Sequence, residues 1–243
     1  QQLDELVPDP PAYMTCHDGH TGWANTAALK LAGITAQTPD PPDGVVVKDP
    51  KTGEPTGILK EAAQGLVSKV LPAITREDRL RAIRRAAAEA ARLGITSIHE
   101  AGTGEAALEL FEEVRKEGGL NVRVYAALSA KEGMTEAEAD AFDALRRKYA
   151  ANPQIRVGAI KVMADGVIEA HTAAMLTPYA NKADAGHANY TPQELQRLVT
   201  MMDRRGWQVM THAIGDGAVR MTLDAYEAAA QANPAPVAGR RHR

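Results

Sequence analysis

A lysine set inside a buried strand constrains this chain more than any other feature. The run Val157-Gly-Ala-Ile-Lys-Val-Met-Ala-Asp165 is apolar or β-branched around Lys161, and Pro153 and Gly166 bound it. Burying an ammonium without a partner is strongly unfavourable, so whatever fold holds Lys161 there must compensate it. Further on, Trp207-Gln-Val-Met-Thr-His212 reads as a second strand and ends on a histidine. A lysine and a histidine on successive parallel strands would sit side by side at one edge of a sheet. That pair suggests a metal-dependent hydrolase.

The pattern between these runs is regular. Thr75 with Asp78, Thr135 with Glu138, and Thr191-Pro-Gln-Glu194 each mark a helix start, because a Ser or Thr side chain caps the third helical amide while an acidic side chain reaches back. Leu93-Gly94, Gly118-Gly119 and Arg205-Gly206 mark helix ends, where glycine accepts the left-handed conformation. Short apolar strands are expected at 95–100, 122–128, near Lys161 and up to His212, with helices at 58–71, 75–93, 105–116, 135–149, 191–205 and 216–230. Alternation of this kind indicates a parallel sheet with right-handed crossovers. No Gly-x-Gly-x-x-Gly follows the first strand, which disfavours a dinucleotide-binding fold. Four strands are legible where a closed barrel needs eight.

Residues 1–57 differ from the rest. Eight prolines crowd there, with helical character at 25–31 and a short strand and turn at 45–53. The expected organisation is a loop-rich insertion over 1–57 packing on a barrel portion over 58–243, the insertion having no core of its own. Residues 166–190 form a long loop, of a length usually reserved for functional segments.

Composition narrows the function. A net charge of −3 argues against a nucleic-acid surface, and the arginine-rich runs at 81–85 and 146–148 fall on solvated helix faces. Nothing approaches the roughly 20 apolar residues of a membrane span. The single cysteine, Cys16, excludes an intramolecular disulfide and fits a reducing compartment, so a cytoplasmic location is expected.

Strand ends are where such folds hold their chemistry. The ends available are His99-Glu100, Leu128-Ser129, Lys161 with Asp165, and His212 with Asp216. Divalent metals take imidazole and carboxylate ligands. A lysine joins them only when modified: reaction with CO2 gives a carbamate that is anionic and can bridge two cations. Plainer readings stand beside this. Lys161 could form an ion pair with Asp165, or act as a Schiff-base lysine in a lyase or aldolase barrel. His212 could be a hydrogen-bonded core histidine. His171 and His187 read as surface residues, and His17 with His20 have metal-like spacing without a third ligand nearby.

Six stretches occur in order: Asp18-Gly-His-Thr-Gly-Trp-Ala-Asn-Thr-Ala-Ala-Leu29, Gly57-Ile-Leu-Lys-Glu61, Gly94-Ile-Thr-Ser-Ile-His-Glu-Ala101, Ile160-Lys-Val-Met-Ala-Asp-Gly166, Thr172-Ala-Ala-Met175 with Pro178-Tyr179, and Thr211-His-Ala-Ile-Gly-Asp216. Together they resemble amidohydrolase family 3, the group of N-substituted formamide deformylase-like metal-dependent hydrolases. The resemblance implies an α/β fold, a partial TIM (β/α) barrel covering roughly strands two to five. It implies hydrolysis of carbon–nitrogen bonds other than peptide bonds, one or two divalent ions, in all expectation zinc, and a small amide-like substrate. Lys161 would be the carboxylated bridging ligand and His212 the strand-five ligand. His20, Trp23, Asn25, His99, Asp165 and Asp216 are the candidate substrate-pocket residues.

The departures from that family are specific. The first-strand His-x-His pair is absent. Arg241-His-Arg243 matches only the opening of the strand-six run, so His242 aligns with its first histidine and not with the ligand. The strand-eight aspartate, which would handle the proton of the attacking water, is absent as well. The expectation is an internal fragment that is inactive alone and that is either poorly soluble or associates with a second copy to cover its open edge.

Overall fold

The computed structural model describes residues 2–17, 19–234 and 240–243, which form two compact units, 1–73 and 74–243.

The first unit is an antiparallel sheet of four strands. Its elements are α1 (Gln2–Leu6), β1 (Tyr13–Thr15), β2 (Thr21–Ala24), α2 (Thr26–Leu31), β3 (Gly44–Lys48), β4 (Pro55–Glu61) and α3 (Gln64–Ser68), with strand order β1-β2-β4-β3. The helix expected over 58–71 is instead β4 followed by the short α3. The pairing partners decide this. Leu59, fully buried, lies between Gly22 on β2 and Val46 on β3, and long-range pairing overrides a local preference for helix. Gly57 takes φ +98°, and a Cβ there would sit 2.3 Å from the Ala24 carbonyl oxygen, so only glycine lets the strands close. The unit has a core of its own, built from Ala24, Ala28, Leu29, Ile34, Val46, Leu59, Ala63 and Val67. This corrects the expectation of a coreless insertion ending at residue 57: enough small and branched side chains converge from β2, β3, β4, α2 and α3, and the unit runs on to Ala73.

The second unit is the expected α/β pattern. It contains α4 (Arg76–Arg92), β5 (Ser97–Thr103), α5 (Glu105–Lys116), β6 (Arg123–Ser129), α6 (Glu136–Lys148), β7 (Ile155–Met163), α7 (Pro192–Arg204), β8 (Gln208–His212) and α8 (Asp216–Ala232). All four strands are parallel, in the order β5-β6-β7-β8. The three capping boxes form as read from the sequence, at Thr75, Thr135 and Thr191.

The two faces of this sheet are unlike. One face carries Val124, Ala126, Leu128, Val157, Ile160, Val162 and Val209, and packs with residues from all five helices in one continuous core. Helix α7 shows why: Leu195, Leu198, Val199 and Met202 recur at helical spacing and are all buried. Each such side chain contributes about 1.5–3 kcal/mol. On the other face Ala127, Ala159 and Met210 form a small separate cluster with Tyr125, to which no helix residue belongs. A parallel sheet with helices on one face only differs from a doubly wound sheet, where both faces are covered. Beyond β8, Arg243 bonds to Val209 and Thr211 on its two sides, in the alternating pattern of a parallel ladder.

Candidate metal centre

The helix-free face carries the candidate ligands. Strand pairing places Ser129 beside Lys161, Lys161 beside Met210, and Met163 beside His212. Because side chains alternate along a strand, Ser129, Lys161 and His212 share this face at the C-terminal ends of β6, β7 and β8.

Lys161 is half-buried, and among the described residues no hydrogen bond or ion pair reaches its amine. Burial alone pushes its pKa down from the usual lysine value. The alternative of a Lys161–Asp165 ion pair fails, because Asp165 is committed elsewhere. Its carboxylate is buried and accepts from the backbone amides of Ala174 at 2.9 Å, Ile214 at 3.0 Å and Gly215 at 2.8 Å. Asp165 therefore knots the start of the long loop to the turn between β8 and α8. With three backbone amides on its two oxygens, Asp165 serves the framework.

His212 Nε2 lies 2.9 Å from the Gly166 carbonyl oxygen. A carbonyl can only accept, so in the neutral ring Nε2 carries the proton and Nδ1 the lone pair, the state a metal ligand needs. The Asp165 carboxylate stands 3.9 Å from the same nitrogen. Asp216 opens α8 and accepts from the Leu176 amide at 2.8 Å, fastening the long loop a second time. Those 25 residues are thus held at several points, with Asn189 bonding to both Ala164 and Met163.

The remaining candidates lie elsewhere. The sequence pattern places a strand end at His99-Glu100, whereas β5 continues to Thr103. His99 pairs in register with Tyr125, four residues before Ser129, which is about 13 Å along the sheet from the level of Lys161. Glu100 is half-buried with its carboxyl pushed above the usual range by burial. His20, Trp23 and Asn25 belong to the first unit. His20 Nδ1 contacts Glu61 Oε2 at 2.9 Å, and Glu61 adopts φ +48°. Trp23 borders a hollow with Gln2, Thr56 and Ile58. Asn25 is fully buried: its Oδ1 accepts from Ala12 and Ala28 amides and its Nδ2 donates to the Val7 and Pro10 carbonyls. With every polar atom bonded to backbone, Asn25 caps α2 and cannot line a pocket. His242 points to the helix side, its Nε2 3.1 Å from Asp203 and its Nδ1 accepting from the Val209 amide.

The fold brings two further residues beside Lys161, Gly102 and the strand-end Ser129. Gly102 takes φ +123°, and a Cβ there would lie 3.5 Å from Ser129 Oγ and 3.8 Å from Lys161 Cγ. Gly102 and Ser129 therefore flank the lysine, a juxtaposition that only strand register reveals. No group of three His, Cys, Asp or Glu side chains able to hold a metal ion occurs among the described residues. The donors at hand suit a divalent ion in kind but are fewer than the three protein ligands such sites ordinarily use.

The parallel α/β sheet is the fold of solved metal-dependent hydrolases, as comparison with them shows. The amidohydrolase family model matches residues 1–243, and the chain belongs to that family. It is 31% identical to the putative amidohydrolase YtcJ of Bacillus subtilis over 93% of this chain and 42% of that protein. It is 30% identical to the protein LONG AFTER FAR-RED 3 of Arabidopsis thaliana, over 95% of this chain and 41% of that one. Similarity to the N-substituted formamide deformylase of Arthrobacter pascens is 27% over 93% of this chain and 42% of the enzyme. Among solved structures, an uncharacterized metal-dependent hydrolase from Pyrococcus horikoshii superposes with a TM-score of 0.62 at 26% identity, covering 93% of this chain and 44% of that one. The chain thus spans less than half the length of these relatives.

Proposed function

We propose that this chain carries part of the active site of a metal-dependent hydrolase that cleaves non-peptide carbon–nitrogen bonds in a small amide-like substrate. One observation carries the reading: Lys161, with no partner for its amine among the described residues, stands one strand from His212, both on the helix-free face at the strand ends. Lys161 as its carbamate and His212 through Nδ1 would be two ligands of a divalent metal, with zinc the proposed ion. A metal bound there would polarise the substrate carbonyl and lower the pKa of a water toward neutrality. Gly166 holds the imidazole in its ligand tautomer, and Asp165 fixes the two loops around it.

The one-sided placement of the helices supports a (β/α) barrel in which β5 to β8 are roughly strands two to five. On this reading the further ligands and the proton-handling carboxylate come from chain that the relatives possess beyond the matched segment. The 243 residues alone are then inactive, and association with a second copy is the proposed way of covering the open sheet. No helix among the described residues is long and apolar enough to cross a membrane; a cytoplasmic location and independence of nucleic acid are part of the same proposal. The experiment is metal analysis with activity against simple N-formyl and N-acyl amines in a version extended to the relatives' length. Full activity without metal and in the presence of chelator would refute it.

A further inference from the structure

Arg243 joins β8 as a parallel strand would. Its amide donates to the Val209 carbonyl at 3.0 Å, and its carbonyl accepts from the Thr211 amide at 2.6 Å. An evenly spaced parallel ladder would continue with the Val209 amide donating to the Arg241 carbonyl, two residues back. Here the ladder departs from that pattern. The Val209 amide donates at 3.0 Å to His242 Nδ1, and the Arg241 carbonyl accepts instead from the side-chain amide of Gln208. One imidazole nitrogen thus stands where a strand carbonyl belongs. The register of this pairing then depends on a single side chain, and a slip by one position would turn every paired residue to the other face.

The replacement works in one protonation state only. A backbone amide can only donate, so Nδ1 must hold a lone pair and Nε2 the proton. Nε2 then donates to Asp203 Oδ1 at 3.1 Å. The His242 side chain is 6% exposed and that of Asp203 4%. Among the described residues, the charged and titratable groups facing the ring are Asp203 from α7, Arg240 from its own segment, and Tyr226 from α8, whose ring centroid lies 5.0 Å away. Asp203 is already balanced, with Arg240 donating to it at 2.6 Å and Asn233 at 2.7 Å. Tyr226 stays a neutral phenol, since burial pushes its pKa up, and its hydroxyl donates to the Arg243 carbonyl at 3.0 Å. A second proton on the imidazole would add net charge to a buried, balanced group and set an N–H against the Val209 N–H. Burial accordingly pushes the His242 pKa below its usual 6.5, with Arg240 acting the same way and Asp203 opposing. The released ring binds a proton more readily than the seated one. The seated arrangement is therefore intact above pH 6.5 and is lost as pH falls through the lower, folded value.

We propose that His242 is a pH-sensitive pin: its neutral imidazole replaces a strand carbonyl to lock residues 240–243 in register on the edge of β8, and its protonation releases them. The test is NMR of the isotope-labelled 243-residue chain. At pH 7.5 the expected result is an unprotonated Nδ1 and a scalar coupling across the hydrogen bond from the Val209 amide nitrogen to His242 Nδ1. As pH is lowered the ring titrates below 6.5. With the same midpoint the coupling vanishes, and protection of the Val209 amide, corrected for intrinsic exchange, falls by about tenfold, as the loss of one hydrogen bond predicts. The Ile160 amide in the centre of the sheet keeps its protection. His242→Asn offers an acceptor that does not titrate, so Val209 stays protected at pH 5. His242→Phe keeps a ring without an acceptor and leaves Val209 exchanging fast already at pH 7.5. A protonated Nδ1 at pH 7.5 overturns the proposal. So does a ring that titrates at or above 6.5 or stays neutral down to pH 4.5, and so does Val209 protection that holds while the ring titrates.

Discussion

His212 Nε2 and the Gly166 carbonyl oxygen stand 2.9 Å apart, joining the end of β8 to the start of the long loop after β7. The contact does two things. It fixes which ring nitrogen carries the proton, and it ties the candidate ligand to the loop that follows Lys161. Replacing His212 by Gln keeps a donor for Gly166 without an imidazole. His212→Gln should therefore stay within about 1 kcal/mol of the parent, whereas His212→Ala loses one hydrogen bond, worth about 0.5–1.5 kcal/mol, and its packing. Urea unfolding monitored by circular dichroism checks the order of the two variants.

Asp165 accepts three backbone amides while almost wholly buried. Asp165→Ala strands those donors and should destabilise the second unit by roughly 3–5 kcal/mol, since each unsatisfied buried group costs about 1–3 kcal/mol. Asp165→Asn keeps accepting capacity on one oxygen and should cost less than the alanine. Equal effects from the two substitutions would show that the carboxylate is not the knot.

Lys161 has a folded-state pKa below its usual value, lowered by burial. Between the folded and unfolded values the unfolded chain binds more protons, so stability rises with pH across that window. The cost of burying the charged amine is fully present below the folded value and is relieved as pH climbs toward 10.5. Lys161→Met should therefore be more stable than the parent at pH 7, with the advantage shrinking by pH 10. A difference in unfolding midpoints that does not change with pH would contradict this.

Asn25 joins α2 to the Ala12 amide and to the Val7 and Pro10 carbonyls. Asn25→Ala should destabilise the first unit by about 2–4 kcal/mol, combining a lost helix cap with orphaned buried groups. Hydrogen exchange should speed up in residues 3–31 far more than in β5 to β8.

The helices and the parallel strands were legible because their signals are local. Thr135 and Glu138 announce a helix start within four residues, and Gly94 announces an end. The first unit was not legible in the same way. Leu59 becomes a strand residue only because Gly22 and Val46 flank it from distant parts of the chain. The site was half legible. Lys161 and His212 stand out as polar residues in apolar runs, and their proximity follows from strand order. Asp165 and Asn25 looked like pocket residues because a polar side chain in a motif reads the same whether it meets a ligand or a backbone amide. Ser129 is legible as a strand end, but only the folded sheet brings it and Gly102 beside Lys161.

Lys161 and His212 are, on this account, two ligands of a metal centre that the 243 residues do not complete. The most direct test measures zinc retained after dialysis by the 243-residue chain, loaded with zinc and bicarbonate, in the parent, Lys161→Ala and His212→Ala forms. The account predicts substoichiometric zinc in the parent and still less in each variant. A full equivalent of tightly held zinc that survives both substitutions would contradict it, and would move the metal centre to other residues, with His17 and His20 the first to examine.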